Sequence, residues 1–392
     1  MKRLLLVLIL LTLMIVSSSF LFENGIAYVS AFAEDNYFGL PLCLPGMPMN
    51  GRCMVYGPAQ TIAEMRAEGI PYPPYKLPAV RPPSELNVMP VNIAKINLPD
   101  EQPSPIYSSF EDAVAGSNPV NQISAGRLRY VSYINRRDHQ GKAFVQLASG
   151  GWTRAAPIAY TRYQGWEFSE NPRHDFGWFV HFNPIESRRG PSHGEPGTGN
   201  HYERDDQFFV YETVNSEVDD LVWYRIGHNE WVNSQMARVV DVNPTPPEGV
   251  SANRWIELNL FQQTIKVYED GRLLFAALVA TGVDPFFTQP GVFQIYDMRE
   301  LDTMQGAFEA DRSDFYYLED VPWAIYYDQN RAIHATYWSF PYGYPQSHGC
   351  VNLSPGDARW IFEWAEVGDY VWVHDPSGQT PTDPNFYGAG AP

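Results

Sequence analysis

The chain has 392 residues, with 27 Lys and Arg against 45 Asp and Glu, and a formal charge of −18. That acidity, without any run of cations, argues against nucleic acid and against an anionic membrane surface, since both need clustered Lys and Arg. A hydrophobic share of 44% with 15% aromatics excludes wholesale disorder, and 33 Pro with 30 Gly, above the usual share of about 12%, favours short strands and many turns over long helices.

In chain order, a cationic start at Lys2 and Arg3 leads into an apolar run over residues 4–16 and then to Ala31-Phe32-Ala33 before Glu34. The run is short against the ~20 residues that a bilayer needs. Residues 1–33 therefore read as a secretory signal, which places the folded part outside the cytoplasm, in the cell wall or periplasm. An uncleaved anchor reaching Phe22 is the alternative, and in either case the membrane is met only through this segment. Residues 34–105 are Pro-rich and read as a semi-extended spacer with a helix-like patch at 61–67. Cys43 and Cys53 flank a Pro/Gly-rich loop, where a disulfide would compensate for the lack of a core. Cys350 is then left over, and an unpaired cysteine in an exported chain is a flag for a reactive thiol, with a buried structural cysteine as the plainer reading.

Residues 106–248 carry short aromatic segments and a weak internal repeat. Phe144 to Ala148 leads through Gly150 and Gly151 to Trp152, and Trp223 to Gly227 leads to Trp231 at the same spacing. Each copy reads as a hairpin whose second strand opens on Trp. The pattern resembles bacterial SH3-like modules, which would bind wall glycan or peptide; two hairpins serving only as packing is the alternative. His193 and His201, in a Gly/Pro-rich loop between the copies, lack metal-ligand spacing, and no metal or cofactor is expected anywhere in the chain.

A Pro-rich linker at 243–249 opens the last region. Apolar residues alternate over 255–260 and 264–268, which is the period of half-buried strands. A turn at 269–272 and a third strand at 273–280 follow, with further strands at 291–296, 323–327, 332–335 and 370–374. One helix stands out. Ser354 caps it, Pro355 takes its first position, Asp357 completes a capping box, Ile361, Phe362 and Ala365 share a face, and Gly368 stops it. The chain is thus mainly β with one short helix after Cys350, and residues 375–392 form a polar, disordered tail.

The chemistry gathers at Ser347-His348-Gly349-Cys350-Val351-Asn352, with His334 upstream at the end of an apolar strand. A thiol is mostly protonated at neutral pH, so nucleophilic catalysis needs a neighbouring imidazole as base. Gly349 lets a substrate approach the backbone, and amides around Gly349 and Cys350 can face a developing oxyanion. Ser192-His193-Gly194 is a built-in control, since Glu195 follows it in place of a nucleophile.

Ser-His-Gly-Cys-Val-Asn with its upstream Ile-His resembles the signature of the L,D-transpeptidase (YkuD-like) catalytic domain. The resemblance spans 253–374 and includes the opening strands at 255–260, Thr281-Gly282, and Thr288-Gln289-Pro290-Gly291-Val292-Phe293. It implies a β-sandwich in which Cys350 is the nucleophile, His334 is the base and the Ala335 carbonyl orients the imidazole. His348 and Gly349 would shape the oxyanion site, and Ser347 and Asn352 would hold the loop or the substrate. Many members carry Arg where this chain has Asn352. Trp323, Tyr337 and Trp338, with the aromatic run 315–317, would line a groove or pack a core. The implied reaction is acyl transfer from a peptidoglycan stem peptide to an amine, giving a 3→3 cross-link, or to water, giving carboxypeptidase activity. Two other classes stay open: a wall-binding protein whose enzyme part has decayed, and a thiol redox protein pairing Cys350 with Cys43 or Cys53.

Overall fold

The computed structural model describes residues 58–160, 163–308, 312, 314–339 and 341–387. The signal segment, Cys43 and Cys53 lie outside the described residues. The chain divides into two compact units, Met1–Pro74 and Tyr75–Pro392. The described part of the first carries the helix Pro58–Ala67, which contains the patch read at 61–67 and opens on proline, whose missing N–H is no loss at a helix start. No helix among the described residues is long and apolar enough to cross a membrane.

The second unit is built mostly of strands, as the composition predicts. Arg254–Asn259 and Thr264–Glu269 pair antiparallel, with Ile256 opposite Val267 and Leu258 opposite Ile265. Arg272–Leu278 continues the meander through a turn whose Asp270 and Gly271 both have positive φ, +50° and +75°, the conformation that favours Asx-Gly in two-residue hairpins. Tyr370–His374 joins Arg254–Asn259 from the other side, in parallel. The opposing sheet runs Val351–Leu353, Arg331–Ala335, Tyr316–Asp328 and then Leu128–His139. Between the two sheets lie Ile256, Leu258, Ile265, Val267, Val321, Ile325, Ile333, Val351 and Leu353, capped by Ala358 and Ile361 of the helix Pro355–Trp364. Full burial of one such aliphatic side chain is worth about 1.5–3 kcal/mol, so this sandwich fixes the relative placement of every strand that reaches the cysteine loop.

The helix starts as read. The Ser354 hydroxyl accepts from the Asp357 amide, and Pro355 takes the first helical position. The Asp357 carboxylate also accepts from the Gly165 amide at 2.7 Å, which ties the helix start to a distant loop.

Several boundaries differ from the expectation. The spacer is built into the fold over its later part: Asn92–Lys95 pairs antiparallel with Leu128–His139 and buries Ile93 and Ala94. Both repeat hairpins form, Lys142–Leu147 with Trp152–Arg154 and Leu221–Gly227 with Glu230–Asn233. They sit in separate sheets of eleven and five strands. Strand Trp166–Phe168 pairs with Arg272–Leu278, and Phe176, Trp178, Val180 and Val240 cover the back of the seven-stranded sheet at Trp255, Tyr268 and Leu273. The region before 253 thus supplies strands and core to both sheets. The described part of the tail, 375–387, is folded. Asp375 accepts from Ser377 and Thr380, and the Tyr387 ring lies 5.3 Å from the Arg331 guanidinium. Sparse apolar content hid these capping turns, which are held by side-chain acceptors.

Candidate active site

The cysteine loop is strapped at its two ends to the end of the third strand. Asn352 and Ala280 exchange backbone hydrogen bonds, at 2.9 and 3.0 Å, and the amides of Gln346 and Ser347 both donate to the Thr281 carbonyl at 2.9 Å. Thr281 is itself fixed by Gln263, which accepts from its amide at 2.9 Å and donates to its hydroxyl at 2.6 Å. The Thr288 hydroxyl accepts from the Gly282 amide and donates to the Gly349 carbonyl, each at 2.9 Å. A Cβ on Gly282 would fall 2.1 Å from the Phe286 carbonyl, so only glycine allows this close approach. The Thr-Gly and Thr-x-Pro-Gly elements of the sequence therefore converge on one task, holding the cysteine loop.

Within the loop, Gly349 has φ +114°, a region that disfavours side chains. Its amide donates to the Ser347 hydroxyl at 3.2 Å, and that hydroxyl donates to the Cys350 carbonyl at 2.5 Å. The Gly349 amide thus has a partner inside the loop.

Cys350 is half-buried and unpaired, and its thiol donates to the Asn330 carbonyl at 3.8 Å. Burial pushes the thiol up from its ordinary value, opposed by a backbone hydrogen bond at Ala332 and by the Arg331 guanidinium, which is itself paired with Asp328 at 2.7 Å. His334 is 2% exposed. Its Nδ1 lies 2.9 Å from the Ala335 carbonyl, and because a carbonyl only accepts, the proton sits on Nδ1 and the lone pair on Nε2. Burial drives this imidazole down to about 4, so it is neutral at pH 7. The strand Arg331–Ala335 pairs in parallel with Val351–Leu353, with His334 opposite Asn352, and Cys350 stands one residue before that second strand. His334 and Cys350 open onto the same cavity, of about 620 Å³.

Ser347, His348, Asn352 and Trp338 line that cavity too. The Trp338 ring is 5.8 Å from that of His334, and His348 stacks on Phe308 at 4.6 Å and touches Phe286 at 4.8 Å. Ala335 acts through its carbonyl alone. Trp323 and Tyr337 do not line the cavity: each is 4% exposed within the main core, and the Tyr337 hydroxyl donates to the Glu319 carbonyl. Tyr316 reaches the cavity, whereas Tyr317 packs in a separate cluster. Sequence reasoning missed Asn330, in the turn before the histidine strand, and the cavity residues Asp302, Tyr326 and Arg127. Among the described residues, no three His, Cys, Asp or Glu side chains gather as a metal site would require.

A neutral imidazole of fixed tautomer that shares a cavity with a lone thiol is the equipment of cysteine acyl transfer. Residues 253–373 match the family model of the YkuD L,D-transpeptidase catalytic domain. The resemblance read from the Ser-His-Gly-Cys loop is thereby borne out over that segment. Two strains of Mycobacterium tuberculosis carry an L,D-transpeptidase 1 that is 28% identical over 171 residues, 38% of this chain and 66% of the relative. The match thus spans just under two thirds of those curated relatives. Among solved structures, a crystal structure of the Enterococcus faecium L,D-transpeptidase is 26% identical, covering 31% of this chain and 50% of that one with a TM-score of 0.29. An L,D-transpeptidase from Mycobacterium smegmatis is 19% identical, with 54% and 90% covered and a TM-score of 0.30.

Proposed function

We propose that this chain is an exported cysteine acyltransferase of the peptidoglycan, acting as an L,D-transpeptidase on stem peptides. The observation that carries the reading is the state of His334: neutral, with Nδ1–H committed to Ala335 and Nε2 free to take a proton, in the cavity that holds Cys350.

The thiol first leaves the Asn330 carbonyl and gives its proton to Nε2 as sulfur attacks the scissile carbonyl of the donor stem. The Cys350 amide is a donor that can stabilise the oxyanion. The C–N bond breaks, the leaving amine takes the proton from the imidazolium, and a thioester on Cys350 remains. An acceptor amine then attacks, His334 removes its proton, and the new amide releases the thiol. Water in place of the amine gives a carboxypeptidase. The signal-like start supports an extracytoplasmic site of action, whereas the hairpin aromatics Phe144, Trp152, Trp223, Tyr224 and Trp231 are buried and favour the packing alternative over a glycan surface.

The test is incubation of the full chain with purified tetrapeptide stems, followed by mass spectrometry of the products. A cross-linked dimer together with a thioester adduct on Cys350 is the expected result. Neither product, or an unchanged adduct in Cys350→Ala, refutes the reading.

A further inference from the structure

Two arginines, Arg127 and Arg299, and two aspartates, Asp302 and Asp314, line the catalytic cavity. Arg299 is held between Asp297 at 2.8 Å and Asp302 at 3.0 Å, and the Asp314 carboxylate accepts from the Phe308 amide. His334 and His348 are both depressed by burial, and Asn352 brings no charge. Arg127 also lines the cavity, and no carboxylate among the described residues lies within ion-pair distance of it.

Its backbone is fixed. Gly126 packs so closely on the 315 backbone that a Cβ would fall 2.2 Å from the Phe315 carbonyl, and the Arg127 amide donates to that same carbonyl at 3.2 Å. Leu128 then starts the parallel ladder opposite Tyr316. Arg129, two residues on, shows the contrast: it is 1% exposed, and its guanidinium donates to the carbonyls of Leu98, Pro99, Gln102 and Ser124. Arg129 is structural, whereas Arg127 is exposed and lines the cavity with no ion-pair partner among the described residues.

We infer that Arg127, supplied from outside the catalytic segment 253–373, binds the C-terminal carboxylate of the donor peptide and so selects donors with a free acid end. The inference rests on the acyl-transfer reading, because a peptide that loses its last residue as a free amino acid presents that carboxylate to the cavity. A guanidinium offers it two parallel charge-assisted hydrogen bonds.

The experiment uses the full chain and two donors, a stem tetrapeptide with a free C-terminal carboxylate and the same peptide amidated there. For R127Q, KM for the acid donor should rise about 10- to 100-fold, the range for a lost charged hydrogen bond. The penalty should vanish with the amidated donor, and R127K should retain part of the preference. Iodoacetamide labelling of Cys350 at the wild-type rate shows that the site has folded. An R127Q enzyme as good as wild type on the acid donor, or equally impaired on both donors, overturns the Arg127 assignment while leaving the acyltransferase standing. A wild-type chain that turns over neither donor overturns both.

Discussion

Thr288 and Gly349, 61 positions apart, are joined by a buried hydrogen bond of 2.9 Å from hydroxyl to carbonyl, and the same oxygen accepts the Gly282 amide. Removing it leaves a buried donor and a buried acceptor unpaired, at about 1–3 kcal/mol each. Thr288→Val should therefore loosen the cysteine loop and lower kcat about 10- to 100-fold on a stem donor, while Thr288→Ser stays near wild type. Equal activity of the two variants would contradict this role.

His334→Ala should lower kcat/KM by about 10²- to 10⁴-fold, the usual worth of positioned proton transfer, and Cys350→Ala should abolish acyl-enzyme formation. Intact-mass measurement after a carbapenem challenge reads both. Rapid, complete acylation of His334→Ala would remove the imidazole from the mechanism.

The pH dependence follows from opposite burial effects on the pair. The imidazole is depressed to about 4 and the thiol is raised, so at pH 7 the resting pair is imidazole with thiol and not an ion pair. Only below the depressed value does His334 lose its lone pair, so the acid limb of kcat/KM should fall near pH 4, well under the ordinary histidine value of about 6.5. Alkylation of Cys350 by iodoacetamide should be slow at pH 7 and climb above pH 9. A thiol titrating near pH 6 would contradict the buried, neutral pair.

Asp357 is fully buried, and burial lifts its carboxyl from 3.8 to about 7. Between about pH 4 and 7 the folded chain holds a proton that the unfolded chain releases. Stability therefore falls as pH rises through that window, and the loss is complete above the folded value. Glu319, lifted by burial to about 7, adds in the same sense. Asp357→Asn should flatten the fall in Tm between pH 4 and 7, gaining on the order of 1–3 kcal/mol at pH 8 relative to wild type. An unchanged slope in thermal melts at several pH values would show that this carboxyl is ionised in the fold.

Local pattern made the sandwich strands at 255–268 and 370–374 and the capped helix legible, because alternation and capping are written in adjacent residues. His334 and Cys350 were legible because both stand in a short motif. Arg127 was not, because its place in the cavity depends on a parallel pairing between Leu128 and Tyr316, 188 positions apart, and such ladders leave no turn signal between their strands. The aromatics failed for a related reason. Tyr337 and Trp338 are successive in the bend after the strand Arg331–Ala335, yet one enters the core and the other lines the cavity, and strand alternation does not extend to a bend.

The parallel pairing of Tyr316–Asp328 with Leu128–His139 also bears on how far this molecule can be cut. A fragment trimmed to begin at the 243–249 linker would expose an unpaired backbone edge along the strand beside the cavity, together with the naked rings of Trp255 and Tyr268 on the far sheet. Bare edges of that kind recruit other chains. Such a truncation should clump or swap strands between copies, so the excision point for soluble preparations lies well upstream, ahead of Asn92.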